Sequence, residues 1–220
     1  GWQGAGDPPE DIRAIVAADL HRSGRFELLA PSDFLSKPTE FSEVRYKDWR
    51  LIKAEVLVVG RIVEKGPDQF EVSFQLLDVY RERVKVGLRY SATAAQLRQV
   101  AHQISDRIFY EMTGIKGAFD TRIAYVTMQL SDGGDRVYQL MIADSDGHNA
   151  QEILNTTNLP VLSPAWSPND QWLAYVSFSD NRSGANVWRQ DISTGTRQPV
   201  ARFDGSASAP APCASKASKV

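Results

Sequence analysis

Cysteine is almost missing from this chain. Cys213 is the single copy, so an internal disulfide and a thiolate zinc site are both excluded. Histidine is nearly as scarce, with only His21, His102 and His148. They fall on two helical stretches and a hairpin, and none has a carboxylate or second histidine at ligand spacing on one face. All three read as surface histidines, and no metal site is expected. Apolar runs are short, and none approaches the roughly 20 residues of a membrane-spanning helix. The first residues show neither the basic n-region nor the apolar h-region of a signal peptide. Charge of one sign is lacking too. Against 27 acidic residues stand 25 Lys and Arg, a net charge of −2, which draws the chain to neither nucleic acid nor anionic lipid. A composition 42% hydrophobic and 24% charged is that of a soluble folded protein.

Catalytic signatures are missing as well. The chain has no Gly-x-Ser-x-Gly elbow, no Cys–His arrangement and no carboxylate pair in a cleft-like context. Gly1 to Gly6 resembles a phosphate-binding glycine loop, but no strand precedes it, and it reads as plain loop. Asp144 and Asp146 before Gly147 resemble the start of a calcium loop. Strands flank them, however, and Ile153 stands where the bidentate Glu is required, so a hairpin turn with Asx hydrogen bonds is the reading. Arg81, Arg83, Lys85 and Arg89 crowd one hairpin, interrupted by Asp78 and Glu82, as on a solvated strand face. No catalytic, cofactor-binding or metal residue is nominated, and an enzyme is not expected.

What the chain does have is a repeat. Ser163 to Val176 reads as a strand ending at Trp166, turn chemistry over Ser167 to Gln171, and a second strand from Trp172. Half of that unit occurs earlier as Arg122-Ile123-Ala124-Tyr125-Val126, with Tyr125 and Tyr175 fifty residues apart. Downstream parts match too. Val137 to Ala143 runs into the turn Asp144 to Gly147, and Asn186 to Ile192 into Ser193 to Gly195. A further short strand follows each turn, Ala150 to Leu154 and Arg197 to Ala201. Four short alternating strands per repeat of this length is the pattern of a β-propeller blade. The first copy lacks its inner strand, which propellers commonly take from the far end of the chain. Ala207 to Ala211 looks like the start of a third copy.

The first half reads differently. Asp7 is expected to cap a helix with Pro8 at its first position, and Ile12, Ile15, Val16 and Leu20 share one face. Gly24 stops it. Phe26 to Leu29 reads as a short strand, Tyr46 to Lys53 as one or two helical turns, and Ala54 to Val63 as a strand apolar on both faces. Phe70 to Leu76 alternates, and Val79 to Tyr90 adds another strand. Thr93 caps a second helix with the stripe Leu97, Val100, Ala101, Ile104, Ile108 and Met112, ended by Gly114. The order is that of a sheet covered by two main helices, an α/β sandwich. Three segments are expected: an α/β domain at 1–116, all-β propeller blades at 117–211, under two of them, and a polar tail at 212–220 that is disordered.

A family resemblance accompanies these elements. Pro9-Glu10-Asp11-Ile12, Ala17 to Leu20, Ser23 to Phe26, Val58-Val59-Gly60, Gln75 to Val79 and Leu97 to Ile108 resemble the TolB family of periplasmic Tol–Pal proteins. So do Thr113 to Phe119 with Thr121 to Val126, and Leu162 to Pro168. The resemblance implies an N-terminal α/β domain and a six-bladed propeller, without enzymatic activity or cofactor. It implies a periplasmic scaffold that binds the lipoprotein Pal at the propeller mouth and TolA through an extended N-terminal segment. The system so linked maintains outer-membrane integrity and assists cell division. Against that pattern the TolA-binding segment and first strand are expected to be missing, leaving an exposed sheet edge. Two other readings stand beside it. One is the propeller of a prolyl-oligopeptidase-like serine hydrolase, which a downstream serine elbow would reveal. The other is an anticodon-type RNA module, which the charge balance disfavours.

Overall fold

In a computed structural model the described residues are 2–4, 9–178 and 184–202. The chain divides into two compact units, Gly1–Asp120 and Thr121–Val220. Among the described residues no helix is long and apolar enough to cross a membrane.

The first unit is built on one sheet with the order β1-β2-β3-β4. β2 (Val56–Gly66), β3 (Gln69–Asp78) and β4 (Arg83–Ala92) form an antiparallel meander. The residue pattern of β2 explains its place. Val56, Val58 and Ile62 turn to one face, Leu57 and Val59 to the other, and both faces are apolar. Helices α1 (Ile12–Arg22) and α3 (Leu97–Thr113) cover the first face. Ile12, Val16 and Leu20 from α1 pack with Leu97, Val100, Ile104 and Ile108 from α3 over Val72, Phe74 and Leu76. On the other face a smaller cluster gathers around Trp49 of α2 (Tyr46–Leu51), with Phe34 edge-on at 5.5 Å. Each such buried side chain is worth about 1.5–3 kcal/mol of transfer free energy.

Three readings are corrected here. Asp11, not Asp7, caps α1, its carboxylate accepting from Ala14 N at 3.0 Å; Asp7 and Pro8 lie outside the described residues. Phe26 to Leu29 forms no strand. Phe26 is apolar because it packs on the helix core, 6.1 Å from the ring of Phe109. Within the supposed loop Gly1 to Gly6, Trp2–Gly4 forms strand β1, parallel to β2 and paired with Gly60 to Ile62. A strand thus stands at the sheet edge that was expected to be bare.

Thr93 begins a short 3-10 turn with Gln96 in a reciprocal capping box, and α3 continues from it. Gly114 ends α3 at φ 72°, the left-handed geometry that favours glycine. Beyond it, Asp106 of α3 accepts from Phe119 N at 2.8 Å and Asp120 N at 3.1 Å. Gly117 permits that approach, because a Cβ there would lie 2.9 Å from the Cα of Asp106.

The second unit is two antiparallel sheets. One is the three-stranded sheet of β5 (Arg122–Leu130), β6 (Arg136–Asp144) and β7 (Gln151–Thr157). The other is the four-stranded meander of β8 (Val161–Trp166), β9 (Trp172–Phe178), β10 (Ala185–Asp191) and β11 (Arg197–Arg202). Register repeats with the sequence. Tyr125 pairs with Met141 and Tyr175 with Trp188, so the two tyrosines hold equivalent places. Pro164 has no N–H to donate, and the β8–β9 ladder shifts register between Leu162 and Ala165 around it. The Ser167 to Gln171 turn is closed by Ser167 N donating to Trp172 O at 2.9 Å and Trp172 N to Ser167 Oγ at 3.0 Å. The fold is a helix-covered sheet followed by part of a β-propeller. Ala207 to Ala211, the tail at 212–220 and Cys213 lie outside the described residues.

Candidate interaction surfaces

The two blades meet along an apolar seam. Leu140 and Ile142 of β6 pack with Val161, Leu173 and Tyr175 of the next sheet, all of them buried. A polar link runs through the same seam. The Tyr175 hydroxyl donates to Gln190 Oε1 at 2.9 Å, and Gln190 Nε2 donates to Ile153 O of β7 at 3.2 Å. Burial pushes the Tyr175 phenol above its ordinary value, with the charge of Arg197 opposing. Toward the blade surface, guanidinium groups lie on aromatic rings. Arg122 is 4.7 Å from the Trp166 ring and donates to Asp170 O at 3.1 Å. Arg197 lies 3.8 Å from the Trp188 ring. Such contacts hold flat side chains in place at about 0.5–1 kcal/mol each where exposed.

His21 and His148 are exposed, but His102 is not a surface residue. It is 3% exposed, and its Nδ1 lies 2.7 Å from Asp19 Oδ2, across the packing of α1 on α3. Arg22 donates to the other oxygen of Asp19 at 2.7 Å. A buried carboxylate needs such partners, and the pair closes the helix contact. No signal near His102 announces this, since its partner lies 83 residues away.

Asp144 and Asp146 form a turn. Asn149 Nδ2 donates to Asp144 Oδ2 at 2.7 Å, and His148 N to Asp146 Oδ1 at 3.0 Å. Among the described residues no three His, Cys, Asp or Glu side chains converge to hold a metal. The basic hairpin is laced by carboxylates. Arg81 bonds Asp78 through its backbone N–H at 2.9 Å and its guanidinium at 3.1 Å, Arg50 pairs with Glu82, and Arg89 reaches Glu71 at 3.5 Å. The Arg81 backbone bond comes first among the causes that hold the Asp78 carboxyl below its ordinary value, with burial opposing.

Sequence reading missed a groove of about 750 Å³ on the first unit. Its floor is the part of the sheet face that the Trp49 cluster leaves open, and its wall is the segment Thr39 to Ser42. Arg61, Ser73 and Arg89 stand in one row across β2, β3 and β4, in direct register. Polar alternation on strands whose other face is apolar was the available signal.

Comparison with known proteins decides the family. A family model described as the TolB amino-terminal domain matches residues 1–84, and one described as the TolB beta propeller domain matches residues 109–216. The chain belongs to the TolB family. A Tol-Pal system protein TolB of Nitrosococcus oceani is 49% identical over 90% of this chain and 45% of its own length. One from Xanthomonas euvesicatoria is 44% identical over 93% of the chain and 46% of its own. The crystal structure of TolB from Acinetobacter baumannii superposes with a TM-score of 0.79 at 34% identity, over 92% of this chain and 49% of that one. The chain thus spans under half the length of these curated TolB relatives.

Proposed function

We propose that this chain belongs to a non-catalytic, periplasmic interaction scaffold of the Tol–Pal system. In this reading a complete propeller binds the lipoprotein Pal at its mouth, and an extended N-terminal segment binds TolA. The linkage maintains outer-membrane integrity and assists constriction at cell division. One observation carries the reading. In a TolB-family chain, consecutive antiparallel sheets repeat the same register and share the Leu140–Tyr175 seam. That is the way blades stack into a ring that offers surface. The relatives' designation as Tol-Pal system proteins supports the system.

The test is a pull-down on immobilised Pal. A TolB chain of the relatives' full length is expected to be retained, and this 220-residue chain to be washed through. Retention of this chain would move the Pal site off the complete mouth. A reading frame continuing into a serine hydrolase domain would replace the scaffold by a gated hydrolase.

A further inference from the structure

We propose that the open groove of the first unit is a second docking surface, independent of the propeller, for an extended acidic segment of a partner protein. Its floor carries three cations, Arg61, Lys65 and Arg89, each with more than half its side chain exposed. Strands lie about 4.8 Å apart, so the two arginine stems stand about 10 Å apart with Ser73 between them. A small hydroxyl between two guanidiniums leaves room for a carboxylate to take bonds from both sides.

The resident carboxylates hold this row loosely. Glu71 is shared between Lys65 at 3.6 Å and Arg89 at 3.5 Å. Arg61 is met by Glu40 at 3.4 Å, from the wall and not from the floor. These are long contacts to cations that stay more than half exposed, and such pairs are worth little. Glu40 presents its carboxylate to the floor as an incoming acidic side chain would, and marks the position such a side chain takes. One cation remains in surplus over the two carboxylates. An extended segment places alternate side chains about 7 Å apart on one face, which suits a floor built from strands. Gln75 adds amide donors and acceptors for its backbone, and Phe41, 39% exposed, adds an apolar wall.

The experiment uses the whole 220-residue chain and a fluorescein-labelled peptide alternating Glu and Ser, read by anisotropy at low and physiological salt. Binding is expected, weakened about tenfold for a peptide with Gln in place of Glu and about tenfold by the double variant Arg61→Gln, Arg89→Gln. Glu40→Gln removes the competitor and is expected to tighten binding about threefold. These side chains are exposed, and an unchanged circular dichroism melt shows that the variants fold. Equal binding of the Gln peptide, or undiminished binding by the double variant, overturns the proposal. Displacement of the peptide by millimolar inorganic phosphate overturns it in favour of a simple anion site. Sedimentation with phosphatidylglycerol vesicles without peptide binding overturns it in favour of a lipid headgroup.

Discussion

The two units bury their apolar faces by different means. In the first, one sheet has a cluster on each side, and helices α1 and α3 close the larger one over Val72, Phe74 and Leu76. In the second, the buried cluster at the seam is the smaller set Leu140, Ile142, Val161, Leu173 and Tyr175, and half-buried residues such as Val126 and Trp188 complete it. The outer positions of β5 stay open, with Met128 52% and Leu130 68% exposed. A sandwich supplies its own cover, whereas a blade is covered by its neighbours. The first unit is therefore expected to carry its stability within itself, and the second to depend on how many blades stand beside it.

The largest effects come from matched truncations. Leu76 and Leu173 are both fully buried. Leu76→Ala is expected to cost about 4 kcal/mol in urea unfolding, while Leu173→Ala costs about 2 kcal/mol, because the looser seam collapses into the cavity. Equal costs would remove the contrast. Next, His102→Leu takes away one partner of the buried Asp19, at about 3 kcal/mol. The loss is expected in the first unit, with amide exchange in β8 to β10 unchanged. The smallest effect depends on pH. The Asp78 carboxyl is depressed in the fold, so its contribution is present above the ordinary value of 3.8 and is lost as pH falls through the depressed value. Asp78→Asn is thus expected to lower the neutral-pH melting temperature and to leave the acid one unchanged. A constant difference across pH would show that Asp78 acts without its charge.

Much of this was legible in the chain because periodicity reports burial. The stripe Leu97 to Met112 and the two-faced run Val56 to Ile62 follow from 3.6- and 2-residue spacing. Tyr125 and Tyr175 marked the blades, and their register partners bear this out. Features made by pairing distant segments were hidden. Trp2–Gly4 has no alternation, and only the edge of β2 makes it a strand. Phe26 is apolar for a helix, not for a sheet. His102 is buried by a carboxylate on another helix, and the Arg61–Ser73–Arg89 row exists only once three strands are in register.

The difference between the units is tested most directly by hydrogen–deuterium exchange on the intact chain, resolved by segment. Amides of β3 and α3 are expected to exchange only with global unfolding, and those of β6, β9 and β10 at least about a hundredfold faster, through local opening. Equal protection in both units would contradict the account, because the two blades would then be as self-sufficient as the helix-covered sheet.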